Sequence, residues 1–175
     1  MDKREKRPFE EVYDEYYDKV YRTVYMRVLC RENTEDIVQD TFVKAMSAYD
    51  RFDPGISSVY TWISTIATNT LYDYFRKTGS DKVISLEGYL EAGYEPGDAD
   101  PELEKLTDEY ARSAYLILRH LNAKERELLS MRFGREMSYK EMADCLSSNE
   151  KAVGMKMTRL FEKCRRIAKE EKIKF

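Results

Sequence analysis

Two sets of side chains in this chain have types and spacings suited to holding nucleic acid. Lys156, Arg159, Lys163 and Arg166 recur at three and four residues, which puts four cations on one face of a helix. Cations aligned in this way can neutralise successive phosphates of a duplex. Far upstream, Thr61, Thr65, Asn69, Tyr72 and Arg76 recur at four, four, three and four. Solvated helix faces are usually dense in Lys and Glu; this one is small, uncharged and hydrogen-bonding over most of its length. Small hydroxyls let a strand come close, Tyr60 and Tyr72 offer rings on which bases stack, and Arg76 and Lys77 offer partners for phosphate. The plain alternatives are a solvated cationic face favoured by the helix dipole for the first set. For the second they are an ordinary polar face or a contact with another protein.

Catalysis finds little to stand on. The chain has one histidine, His120, between Arg119 and Leu121, and it reads as a boundary residue rather than a base. No glycine-rich phosphate loop, nucleophile elbow or metal-binding helix motif is visible. Cys30, Cys145 and Cys164 share no metal-like spacing and read as buried free thiols of a reducing compartment. The expectation is therefore no catalytic residue, no metal, no cofactor and no small-molecule substrate. Apolar runs are only a few residues long, so no membrane insertion is expected. No apolar segment follows the charged start, so no signal peptide is read there and a cytoplasmic location is expected.

The elements that must carry these faces are helical throughout. Phe9, Val12, Tyr13, Tyr16, Tyr17, Val20, Tyr21, Val24 and Val28 recur at helical spacing. The tyrosines read as core residues with wet hydroxyls, a stacking platform being the alternative. A second helix is expected to open at Asn33 or Thr34, with Ile37, Val38, Phe42, Ala45, Met46 and Tyr49 inward, and to break at Asp53-Pro54-Gly55. A third, capped by Ser57 or Ser58, runs to about Lys77 with Val59, Trp62, Ile63, Ile66, Ala67, Leu71, Tyr74 and Phe75 as its stripe. Asp100-Pro101 begins a further helix in the favoured way, burying Leu103, Leu106, Tyr110, Ala114, Ile117, Leu118 and Leu121. A short helix follows to Phe133 and stops at Gly134. Ser138-Tyr139-Lys140-Glu141 is a capping box. Ser147-Ser148-Asn149 turns the chain into the last helix, held by Val153, Met157, Leu160, Phe161, Cys164 and Ala168. Short helix, polar turn and basic helix make the pattern of a helix-turn-helix.

Charge is segregated along the chain. The net charge is only −3, yet residues 151–175 hold nine Lys/Arg against three Glu, and 79–109 hold ten Asp/Glu against two Lys. Four of the seven glycines fall in 79–100, where periodicity is lost. The expected architecture is all-α: two small helical domains, 1–78 and 101–175, joined by a flexible acidic linker, 79–100.

Three segments in this order resemble the bacterial sigma factors of the compact extracytoplasmic-function group of the sigma-seventy family. Glu35-Asp36-Ile37-Val38-Gln39-Asp40-Thr41-Phe42-Val43-Lys44-Ala45 is similar to the segment with which that family grips the polymerase clamp helices. Tyr60-Thr61-Trp62-Ile63-Ser64-Thr65-Ile66-Ala67-Thr68-Asn69-Thr70, then Asp73-Tyr74-Phe75-Arg76-Lys77, is similar to the segment that melts and reads the minus-ten element. Leu121 to Arg132, with Ser138 to Ala143, resembles the start of the domain that reads the minus-thirty-five element.

The resemblance implies an alternative sigma factor that brings core RNA polymerase to promoter DNA, itself held in check by an anti-sigma factor. Asp36, Gln39, Asp40 and Phe42 are then expected to meet polymerase. Ser57, Ser58, Tyr60, Thr61, Trp62, Thr65, Asn69, Tyr72, Arg76 and Lys77 are expected at minus-ten DNA. Ser138, Tyr139, Lys140, Lys151, Lys156, Arg159, Lys163 and Arg166 are expected at the upstream duplex. The acidic linker would thread the polymerase's RNA path, or mask the basic stripe in the free protein. Ser147 and Ser148 stand where the family usually has Gly and an apolar residue, and Gly154 and Met155 replace polar residues of the recognition helix. The rival readings are a stand-alone helix-turn-helix regulator and a helical interaction protein.

Overall fold

The computed structural model describes residues 6–78 and 109–173, and all regular structure among them is helical. The expected linker 79–100 and the Asp100-Pro101 helix start lie outside the described residues. The first half holds α1 (Phe9–Val28), α2 (Arg31–Ala48) with a 3-10 turn at Tyr49–Arg51, and α3 (Val59–Thr78). The second holds α4 (Glu109–Leu118), α5 (Ala123–Leu129) running into a π turn at Ser130–Gly134, α6 (Tyr139–Cys145) and α7 (Glu150–Glu170).

Pro8 precedes α1, and Glu10 and Glu11 sit in its electropositive first turn. Leu29 ends it in the left-handed region at φ 53°, its N–H donating to the Tyr25 carbonyl at 2.9 Å. That tight reversal starts α2 at Arg31, before the expected Asn33 or Thr34 cap. Thr34 is instead inside the helix, fully buried, and its hydroxyl donates back to the Cys30 carbonyl at 2.7 Å. Asp53 turns the chain as expected, its carboxylate accepting from the Gly55 N–H at 2.8 Å. Ser58 caps α3, accepting from the Thr61 N–H at 3.1 Å.

Val12, Val20, Val24 and Val28 of α1 meet Ile37, Val38, Phe42 and Ala45 of α2 and Ile63, Ala67, Leu71 and Phe75 of α3 in the first core. Most of the predicted stripes are thus inward, with some departures: Tyr13, expected in the core, is 39% exposed at the edge of α1. Met46 is 59% exposed, and Ser64 and Thr70 are buried on α3. The second core joins Tyr115, Leu118, Leu121, Leu129, Met142, Val153, Met157 and Leu160. On α4 the buried residues are Tyr115 and Leu118, while Tyr110 is 77% exposed and Ala114 is also exposed. Leu118 and Leu121 are buried as expected and Ile117 packs against the same core, while Tyr115 fills the inward place expected of Tyr110 and Ala114.

The halves are in contact through α1, which packs against α2 and α3 on one side and against α5 and the π turn on the other. Leu29, 1% exposed, belongs to the second core although its sequence belongs to the first half.

Candidate nucleic-acid interface

The helix-turn-helix is built by its caps. Ser138 and Glu141 close the predicted capping box: the Ser138 hydroxyl accepts the Glu141 N–H at 3.2 Å and the Glu141 carboxylate accepts the Ser138 N–H at 2.7 Å. These bonds, from the Ser138 hydroxyl first, hold the Glu141 carboxyl below the usual carboxylate range. Ser148 N–H donates to the Ala143 carbonyl at 2.9 Å, closing the turn, and Ser147 takes φ 47°. That is the left-handed region where a side chain costs energy and glycine does not. Asn149 then accepts from the Ala152 N–H at 2.9 Å and starts α7.

Lys151, Lys156, Arg159 and Arg166 are exposed on α7, and Lys140 is exposed on α6. Lys163 is placed differently: its ammonium donates to both Glu125 oxygens, at 2.8 and 2.7 Å, tying α7 to α5. Tyr139 is half-buried, its ring 5.7 Å from the Arg132 guanidinium. A Cβ added at Gly154 would lie 3.8 Å from the Tyr139 ring, an ordinary contact, so packing does not require glycine there. Met155 is 51% exposed beside the cations.

On α3, Thr61, Thr65 and Asn69 are exposed along one face, as their spacing implies. Ser58 is exposed and bonded to Thr61, while Ser57 is half-buried. Trp62 packs 4.9 Å from Phe52 and 6.1 Å from Tyr49, so it braces the loop that carries Ser57 and Ser58. Ile56, in that loop, is 84% exposed; a lone apolar residue between Gly55 and Ser57 was its only mark in the sequence. Arg76 is paired with Asp73, and Lys77 is exposed.

Tyr60 and Tyr72 sit at the boundary between the halves. Tyr60 stacks on Tyr16 at 5.8 Å, lies beneath the Lys19 ammonium at 5.1 Å, and donates its hydroxyl to the Gly134 carbonyl. Tyr72 lies 5.0 Å from the Arg27 guanidinium, and burial, then the Glu127 charge, pushes its hydroxyl pKa up.

Asp36, Gln39 and Asp40 project from α2 into solvent. Beside them Phe9, Tyr13, Phe42, Val43 and Met46 line an open groove of about 490 Å³ whose rim includes Glu10, Asp14 and Gln39. Phe42 is 4% exposed and packed by Phe9, Tyr13 and Tyr17, so it forms the floor of the groove. Val43, 60% exposed, is the apolar residue of this face that sequence periodicity passed over.

His120 is exposed, its Nε2 3.0 Å from Glu171. The cysteines are free thiols, but none is buried as expected: Cys145 is exposed, and Cys30 and Cys164 are half-buried. Among the described residues no cluster of His, Cys, Asp and Glu could hold a metal, and no helix is long and apolar enough to cross a membrane.

Comparison with known proteins gives this geometry its class. Residues 12–80 match the family model of Sigma-70 region 2, and residues 117–166 match that of Sigma-70, region 4. The chain is 28% identical over 138 residues to the ECF RNA polymerase sigma-E factor of Haemophilus influenzae, a match covering 75% of this chain and 70% of that one. It is 30% identical over 118 residues to the RNA polymerase sigma factor YlaC of Bacillus subtilis, covering 66% of this chain and 65% of that one. The fold is similar to that of the sigma factor RpoE, solved with the anti-sigma factor NepR from Bartonella quintana. That likeness has a TM-score of 0.61 at 19% identity and covers 92% of this chain and 96% of that one. The chain belongs to the sigma-70 family, in its extracytoplasmic-function group.

Proposed function

We propose that the chain works as an alternative sigma factor, binding core RNA polymerase and directing it to a restricted set of promoters. The observation that carries this reading is the ordered pair of sigma-70 regions, the second of which is a helix-turn-helix with an exposed basic face. In this reading Asp36, Gln39, Asp40 and the groove floored by Phe42 dock on polymerase. The α3 face of Thr61, Thr65 and Asn69, with Ser57, Ser58, Tyr60, Tyr72, Arg76 and Lys77, holds opened minus-ten DNA, and Trp62 positions the loop. Extruding a base from the stack costs a few kcal/mol, which a preformed pocket offsets. Lys140, Lys151, Lys156, Arg159 and Arg166 meet phosphates of the upstream duplex, while Ser138, Tyr139 and Lys163 hold the module in shape.

The chain catalyses nothing itself in this account; the polymerase does the chemistry. Its place of action is the cytoplasm, where polymerase and chromosome are, and an anti-sigma factor is its natural inhibitor. The domain limits are 1–78 and 101–175. Two weak DNA modules borne on one polymerase gain apparent affinity from tethering alone. A stand-alone regulator would need no polymerase. Gel shifts of duplex promoter fragments, with and without core polymerase, separate the two: a specific shift only with core supports the sigma reading, and an equally specific shift without core supports the regulator.

A further inference from the structure

The buried side chains of α7, Val153, Met157, Leu160, Ile167 and Ala168, fix which face of that helix turns inward. At helical pitch the line opposite them runs through Lys151, Met155, Thr158 and Glu162, spaced four, three and four, and all of these are exposed. Met155 therefore stands on the crest of the basic face, 51% exposed, in the second turn of the helix. Lys151 lies one turn before it and Arg159 one turn after. A long apolar side chain at this place gains nothing from a phosphate and is not stabilised by water.

Two neighbours widen the apolar spot. The Thr158 hydroxyl donates back to the Gly154 carbonyl at 3.0 Å, so its methyl is the end left for contact. Gly154 carries no side chain, and the edge of the Tyr139 ring stands 3.8 Å from where its Cβ would be. Packing leaves room for a Cβ there and none is present, so the helix backbone beside Met155 is open to close approach. Glycine weakens a helix interior relative to alanine, and no internal contact requires it at this position.

We propose that Met155 is a specificity-determining residue that reads the C5-methyl of a thymine in the upstream duplex, with the Thr158 methyl and the bare Gly154 backbone as the sides of the contact. The proposal rests on the sigma-factor reading and names a base that this helix selects. Charge sets the class of partner: exposed Lys151, Lys156, Arg159 and Arg166 surround the spot, which suits a polyanion and repels a cationic surface. The fold sets the groove, because the second helix of a helix-turn-helix lies in the major groove with its N-terminal turns at the base edges. Chemistry sets the base. Of the bases, only thymine presents a methyl group there; the other groups on those edges are donors and acceptors that a thioether side chain leaves unpaired. The unbranched, polarizable methionine chain adapts its shape to such a contact. The cations hold the helix on the duplex without reading sequence, and Met155 adds a preference among base pairs.

The test begins with core polymerase and the full chain initiating on fragmented genomic DNA of the source organism. The upstream motif shared by the chain-dependent starts supplies the duplex. Each thymine of that motif, on either strand, is replaced singly by deoxyuridine, which removes the C5-methyl and leaves pairing intact. Affinity of the holoenzyme for these duplexes is measured with wild-type, Met155→Leu and Met155→Gln chains. Met155 is exposed, so neither substitution disturbs the core. At one thymine, we expect deoxyuridine to weaken binding by the wild type roughly fourfold, the worth of one methyl-sized group taken from water. A similar loss is expected with Met155→Leu, and none with Met155→Gln, as a double-mutant cycle requires of a direct contact. A motif without thymine overturns the proposal. So does wild-type affinity indifferent to deoxyuridine at every position, or a methyl effect of the same size with Met155→Gln. Those results leave the sigma reading standing, because chain-dependent starts define the motif. If the wild-type chain yields no such starts, the sigma reading itself falls and takes the proposal with it.

Discussion

Ser147, like Leu29, Glu136 and Lys172 among the described residues, holds a backbone conformation that glycine adopts more easily. Its φ of 47° lies where a Cβ crowds the following carbonyl. Ser147→Gly should stabilise the chain by about 1 kcal/mol, less the entropy that glycine adds to the unfolded state. Urea melts of the two proteins check this; a destabilised glycine variant contradicts the strain. Glu141 gives a pH signature. Its folded pKa is depressed by the Ser138 bonds, so its contribution is present above the ordinary carboxylate pKa and is lost as pH falls through the lowered folded value. The melting-temperature gap between wild type and Glu141→Ala should be open at pH 7 and close progressively in acid. A gap independent of pH would show that the carboxylate charge does not matter. At this scale the sequence was legible where partners are local: both Ser138 and Asn149 cap as their neighbours dictate. It was opaque where partners are remote. Nothing near Lys163 announces Glu125, so four aligned cations read as four free ones, and the structure leaves three of them exposed.

Helices were readable from their period, because burial of one face is what sets it. The stripes of α3 and α7 emerged nearly as written, and Val153, Met157, Leu160 and Ala168 are buried on α7. The failures share a cause. Met46 and Val43 are apolar but face outward on α2, and Tyr110 does so on α4, because apolar side chains at the edge of a stripe can serve a groove or solvent as well as a core. The α2 start was misplaced because Leu29 reverses the chain in a single left-handed residue, which no glycine or asparagine signals. On α7 the exposed cations make a quantitative claim. Lys156→Ala with Arg159→Ala should lower the magnitude of the salt slope of upstream duplex binding by roughly 2, at about 0.9 per phosphate contact. Titrations across potassium chloride concentrations check it, and an unchanged slope would move the recognition face elsewhere. On α2, Asp36→Arg with Asp40→Arg should abolish core binding while leaving the helical spectrum and melting temperature near wild type, since both side chains are exposed. Wild-type affinity for core polymerase in a pull-down titration would refute the docking face.

For the molecule as a whole, segregated charge and two separate apolar sets made a two-part helical chain legible, but not how the parts meet. Arg27 lies one residue before Val28 on a stripe of valines, and Glu127 lies between Arg126 and Leu128. Each reads as a solvated charge, and only their union across α1 and α5 explains the burial of both. The α3 face was readable as a pattern of hydroxyls; the bond from the Tyr60 hydroxyl to the Gly134 carbonyl of the other half was not. The account as a whole stands on initiation. Core polymerase, with and without the purified full chain, is given fragmented genomic DNA of the source organism, and transcript 5′ ends are sequenced. The account predicts new starts that appear only with the chain, share an upstream duplex motif and a minus-ten motif at fixed spacing, and vanish with Asp36→Arg and Asp40→Arg. A set of starts identical with and without the chain contradicts it.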